Sequence, residues 1–317
     1  MTVQSQTAPD AAATSQPAAR DRAFEPRDYG LYALTVIAWS LSWFAIRLQV
    51  GTVPNEVNLV WRFGIATALM FLWVVVSGRR VRFPLREHVR FAALGVLMFS
   101  TNFLLFYYAA GYLVSGLLSV VFSLASVVNI LLAAVVLHET PSPRVLAGGL
   151  IGFFGIALMF SPEIAAHGLS GATVIGLALC VGGTLCFCLG NQISAAGLRR
   201  GLPLIPMTAW GMVYGTLFSA LLALFLGRPF IVEPTVSYLG SLLFLAVIST
   251  VIAFSAYLTL LSRIGPARAG YATVLFPIFA LLVSTALEGY RWSAYAFAGL
   301  VFVALGNVLV IRAGKRS

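Results

Sequence analysis

The chain has 317 residues, of which 60% are hydrophobic and only 9% charged. Its mean hydropathy is +0.95. A soluble domain carries roughly a quarter charged residues, so this much apolar surface requires the bilayer as solvent. The net charge of +10 does not indicate nucleic acid, because the arginines sit between apolar runs rather than in one patch.

Residues 1–28, rich in Ala, Gln, Ser, Thr and Pro, read as a disordered cytoplasmic tail without the apolar stretch of a cleaved signal peptide. Ten apolar segments follow, each about the length of a bilayer crossing: 29–48, 57–77, 91–111, 115–137, 145–161, 171–193, 204–226, 237–261, 267–287 and 293–312. The fifth is short and is expected to tilt or to thin the membrane locally. Residues 313–317 form a second cytoplasmic tail.

The basic residues orient the chain. With the N-terminus inside, Arg47, Arg62, Arg228 and Arg291 fall outside and the other sixteen of the 20 Lys and Arg fall inside. That bias supports ten spans with both termini in the cytoplasm.

Residues 106–139 superimpose without gaps on 255–288, placing Tyr108 on Tyr257, Gly116 on Gly265 and Glu139 on Glu288. The repeat is five helices long, and an odd number inverts the second copy. The expected architecture is an all-α membrane protein of ten transmembrane helices, built as two inverted five-helix repeats over 29–161 and 171–312. This is a transporter design with the substrate site near the midplane.

The segments WSLSWFAIR at 39–47, WRFGIA at 61–66 and SRIGPARAGYATVLFPIFALLVSTALEG at 262–289 resemble the drug/metabolite transporter superfamily, and specifically its EamA-type members. Val128 stands where the repeat would place a counterpart of Pro277, so helix 4 is expected to be less kinked than helix 9. The tryptophan-flanked helix 1 and aromatic-rich helix 3 look most like the aromatic amino acid exporters. The resemblance implies an inner-membrane secondary transporter that exports small metabolites, amino acids with aromatic side chains first. A drug, nucleoside or sugar carrier on the same fold is the alternative, and a non-transporting receptor or scaffold the alternative from another class.

Several polar and aromatic stripes carry the candidate site. Helix 4 places Ser115, Ser119, Ser123, Ser126 and Asn129 within about 120° of arc. Small serines also serve as glue between helices, so that reading weighs equally with substrate binding. Helix 1 offers Trp39, Ser42 and Trp43 as an aromatic wall, with a packed tryptophan as the plainer alternative. Helix 3 offers Thr101, Asn102 and Tyr108, helix 6 Thr184, and helix 8 Ser249 and Thr250. Pro277 removes one backbone bond in helix 9 and is the expected hinge. The glycines 148, 149, 152 and 155 read as close packing without chemistry.

Cys180, Cys186 and Cys188 have no neighbouring histidine and read as core-filling residues, so no metal and no cofactor is expected. No Asp, Glu or His lies near a span midpoint, which leaves no evident proton carrier. Glu139 and Glu288 end helices on opposite sides, each seeing water from its own side only. No residue set for hydrolysis is present, so no enzymatic activity is expected. The implied partners are a small-molecule substrate and the lipid bilayer, with no nucleic acid. The oligomeric state is not fixed by the sequence, and a monomer is compatible with it.

Overall fold

The computed structural model describes residues 25–137, 142–167, 171–264 and 272–313. All regular structure among them is helical. Nine helices there are long and apolar enough to cross a membrane, and a shorter apolar one spans Ala272–Leu287. In chain order, α1 is Pro26–Gln49, α2 Asn55–Val76 and α3 Leu85–Ala109. Helix α4 comprises Ser115–Ser123 and Ala125–Leu137. Helices α5, α6 and α7 are Pro143–His167, Ala172–Arg199 and Leu204–Phe225. Helix α8 runs through Val236–Leu243, Phe244–Ile252 and Ala253–Ile264. Last come α9, Ala272–Leu287, and α10, Ala294–Ala313.

Local chemistry sets the helix ends. Pro54, Pro84 and Pro203 immediately precede α2, α3 and α7, where a missing N–H leaves no bond unmade. Helices α2 and α7 close alike: Gly78 and Gly227 take left-handed φ of 62° and 63°, which only glycine adopts without strain. The following Arg79 and Arg228 N–H groups donate back to Val74 and Ala223 carbonyls at 3.0 and 2.8 Å.

Some boundaries differ from the sequence reading. Helix α1 starts at Pro26, inside the expected tail, because Asp28 lies in its first turn and accepts from the Glu25 backbone N–H at 3.0 Å. Asp28 is fully buried and pairs with Arg263 at the end of α8. Helix α5 continues through Pro162 to His167 rather than stopping at 161. The expectation of a straighter helix 4 is overturned. Helix α4 is interrupted at Leu124, whereas α9 runs unbroken through Pro277. The Cys188 thiol donates to the Ala125 carbonyl at 3.5 Å beside that interruption, and the Ser40 hydroxyl donates to the Phe276 carbonyl at 3.1 Å. Glu139 and Gly265, used in the repeat alignment, lie outside the described residues.

The packing is reciprocal. Helix α2 packs on α7, α4 on α9 and α5 on α10, while α1 lies against α8 and α9 and α6 lies against α3 and α4. Helices α3 and α8 each contain a π-helical stretch, Gly95–Thr101 and Phe244–Ile252. The α5–α10 contact is made through glycine. A Cβ at Gly155 would lie 2.6 Å from the Gly299 carbonyl oxygen, and one at Gly148 2.7 Å from that of Gly306. Leu72, Val76, Leu150, Leu221, Phe225 and Phe297 are exposed on the outer surface, which is where lipid contact requires apolar groups.

Candidate functional site

The two ends of the bundle differ. Polar bonds tie helices together at the end opposite Pro26. The Arg47 Nη1 donates to the Ala110 carbonyl at 2.7 Å, and Asn58 Nδ2 to the Gln49 carbonyl at 3.0 Å. The Tyr107 hydroxyl donates to Gln49, that of Tyr108 to Glu56, and that of Tyr238 to Asn58 at 2.8 Å. Arg228 lies 3.8 Å from the buried Glu56 carboxylate. Glu288, just past α9, accepts from the Ser115 N–H at 3.1 Å and the Ser115 hydroxyl at 2.5 Å, and from the Ser284 hydroxyl. Its charge therefore sits at the start of α4, where the helix dipole favours an anion.

A cavity of about 480 Å³ occupies the centre, within the ~300–1,000 Å³ range of small-molecule sites. It begins at Arg62 and Phe63 of α2 and extends past Ser194 and Leu204 toward the Pro26 end. Aromatic rings form a large part of its wall. Phe122 contacts Phe187, Trp43 and Phe276 at centroid distances of 4.8, 5.3 and 6.2 Å. Trp43 also meets Phe106 edge-on at 5.0 Å, and Trp39 lies 5.1 Å from Tyr257.

Of the residues expected from the sequence, Trp39, Ser42, Trp43, Asn102, Ser126, Asn129, Ser249 and Thr250 line this one cavity. Four helices, α1, α3, α4 and α8, supply them. Gln192 of α6 donates to the Asn129 carbonyl at 3.1 Å, and Ser126 donates to Asn307 of α10. The π-helical stretches lie where the lining passes: Asn102 follows the one in α3, and Ser249 and Thr250 sit in that of α8.

Four expected residues do not line it. Ser123 is buried behind the wall, donates to the Val120 carbonyl at 2.7 Å and accepts from Asn307 at 3.3 Å. Thr184 donates to the Cys180 carbonyl at 2.8 Å. Tyr108 belongs to the Glu56 bond network, and Thr101 is half-buried outside the lining. Pro277 is itself buried outside the lining, but its neighbours Phe276 and Thr273 contribute to it.

One lining residue departs from the sequence reading. Arg62 was expected in the outer charge set, yet it is the eighth residue of α2 and only 3% exposed. Its guanidinium lies over the Phe103 ring at 4.4 Å and the Phe63 ring at 5.1 Å.

The EamA-like transporter family matches the sequence twice, over residues 29–161 and 174–312. The chain belongs to the EamA-like transporter family. It is a multi-pass transporter of the inner membrane. An uncharacterized transporter of Archaeoglobus fulgidus is 26% identical over 286 residues, covering 88% of this chain and 97% of the relative. The uncharacterized inner membrane transporter YedA of Escherichia coli is 26% identical over 298 residues and covers 92% of each chain. A protein of known crystal structure shares the fold at a TM-score of 0.65 and 18% identity, over 92% of this chain and 99% of that one. EamA-like membership places the cavity inside a transporter.

Proposed function

We propose that this EamA-like chain exports small metabolites by alternating access, with aromatic amino acids as its leading substrates. The observation that carries this reading is the central cavity, walled by Trp39, Trp43, Phe122 and Phe187 and dotted with neutral polar groups. Aromatic walls suit a ring, and hydroxyls and amides suit an amino acid's polar end without a second buried charge. Trp39, Ser42, Trp43, Asn102, Ser126, Asn129, Ser249 and Thr250 then contact the substrate. Thr101, Tyr108, Ser123 and Thr184 act through helix packing instead.

The proposed frame is ten spans in two inverted five-helix repeats, 29–161 and 171–312, with tails 1–28 and 313–317 in the cytoplasm. The reciprocal packing, the paired π-helical stretches of α3 and α8, the like-capped ends of α2 and α7, and the double family match all support it. In that frame the cavity faces the cytoplasm while the Glu288 end is shut. Opening requires α4 and α9 to part, with Pro277 as the hinge in α9 and the interruption at Leu124 as its counterpart in α4. Transport is facilitated uniport or exchange, because no carboxylate or histidine is among the described residues that line the cavity.

The test is a flux panel in liposomes containing only this protein: the twenty amino acids, with nucleosides, sugars and cationic drugs as further arms. Phenylalanine, tyrosine and tryptophan are expected to move fastest. Flux of a nucleoside, sugar or drug with none for any amino acid would replace the substrate class, and no flux at all would favour the scaffold reading.

A further inference from the structure

Arg62 is the charge that the proposed function does not yet use. It sits about 10 Å into α2 at 1.5 Å per residue, where an arginine without a partner is costly and marks function by default. No ion pair among the described residues involves it. Its Nη2 donates to the Thr250 hydroxyl at 3.4 Å, and that hydroxyl itself donates to the Leu245 carbonyl at 2.7 Å. Nε and Nη1 have no hydrogen-bond partner. The Tyr107 hydroxyl donates to Gln49 and also lies against the guanidinium. The two phenylalanine rings hold the fork in place without satisfying its N–H groups.

A second lining residue is incomplete in the opposite sense. Asn102 is 1% exposed and donates from Nδ2 to the Met98 carbonyl at 3.2 Å. Its Oδ1 accepts from nothing. These two lining residues thus carry buried N–H donors with a positive charge and a buried acceptor, none with a hydrogen-bond partner, among aromatic rings.

We propose that Arg62 is the receptor for a carboxylate on the transported molecule, and that Asn102 Oδ1 accepts an N–H or O–H from the same molecule. The inference rests on the reading of this cavity as the transport site. A planar guanidinium fork matches a carboxylate two bonds at a time, and the carboxylate neutralises the only charged side chain among the described residues that line the cavity. The class of ligand is an aromatic carboxylate bearing a hydrogen-bond donor, which includes the aromatic amino acids. An amine or amide of the same shape leaves Arg62 unpaired, and an amine adds a second positive charge beside it.

Calorimetric binding to the full-length purified protein tests this with four probes: phenylalanine, phenylpyruvate, phenylalaninamide and phenethylamine. The wild type is expected to bind at least one of the two acids tenfold or more tighter than either neutral or cationic analogue, the scale of a charge-assisted pair. Arg62→Gln is expected to erase that preference, and Arg62→Lys to keep part of it by retaining charge without the fork. Equal binding of acid and amide, binding of none of the four, or an acid preference that survives in Arg62→Gln would overturn the assignment. If Arg62→Gln does not fold, the wild-type comparison of acid with amide and the Arg62→Lys variant decide. Tight binding of phenylpyruvate with no phenylalanine flux would retire the amino acid reading alone. Undiminished phenylalanine flux through Arg62→Gln would retire the Arg62 assignment alone.

Discussion

Replacing Glu288 by Gln removes a charge from the bonds that shut the end opposite Pro26. The carboxylate receives the Ser115 N–H and hydroxyl at the start of α4 and the Ser284 hydroxyl one turn back in α9. Hydrogen bonds to a charged group contribute about 1.5–3 kcal/mol, against about 0.5–1.5 kcal/mol for neutral ones. Glutamine keeps the acceptor oxygen but not the charge. Because the site is half exposed, the expected loss is only about 1–2 kcal/mol rather than the full difference over three bonds. At 1.4 kcal/mol per factor of ten, the equilibrium shifts roughly 5- to 30-fold toward opening at that end. The assay is the reaction rate of Ser126→Cys, in a background with Cys180, Cys186 and Cys188 replaced, toward a membrane-impermeant maleimide. The rate from the Glu288 side is expected to rise about tenfold, and the rate from the Pro26 side to fall. Rates within twofold of the parent on both sides would refute the reasoning. A rise on both sides would indicate loosening of the whole bundle instead.

Trp43→Ala removes ring contacts to Phe106 and Phe122, each worth about 0.5–1.5 kcal/mol beyond area. Affinity for phenylalanine is expected to fall about tenfold while membrane expression holds, and a loss of expression with unchanged affinity would assign Trp43 to packing alone. Gly155→Leu drives a side chain into the Gly299 carbonyl 2.6 Å away, so the melting temperature is expected to drop by several degrees from about 1–3 kcal/mol of overpacking; an unchanged melting temperature would contradict the α5–α10 contact. An imposed pH gradient at equal substrate on both sides is expected to drive no accumulation, since no carboxylate is among the described residues that line the cavity; accumulation would point to Glu288 or to Glu139, and Gln variants would separate them. Cysteine labelling at residues 79–90 and at Lys315 is expected from the cytoplasm only, and a periplasmic signal from Lys315 would sink the ten-span frame.

The spans were legible because run length in an apolar sequence reports bilayer thickness directly. The stripes on helices 1, 3, 4 and 8 were legible because 100° per residue fixes a face. A face does not fix a partner, however. Ser123 and Thr184 lie on plausible faces, yet their hydroxyls donate to carbonyls three and four residues back, an option open to any Ser or Thr in a helix. Arg62 was lost to the charge tally, because counting assigns an arginine near a loop to that loop. The signal was present in WRFGIA, where it is flanked on both sides by apolar residues after a helix start at Asn55. Asp28 was absorbed into the tail for the same reason, its partner Arg263 being 235 residues away. The interruption of α4 at Leu124 has no proline or glycine beside it, so no local pattern announces it.

Counterflow through a blocked and an unblocked cavity tests the central claim most directly. Liposomes containing only the Ser126→Cys protein, in the same cysteine-replaced background, are loaded with phenylalanine and given a trace of labelled phenylalanine outside. Labelled substrate is expected to accumulate transiently before maleimide treatment and not after it, and phenylalanine is expected to slow the maleimide reaction. Counterflow that persists undiminished after the cysteine is fully modified would contradict a transport path through this cavity.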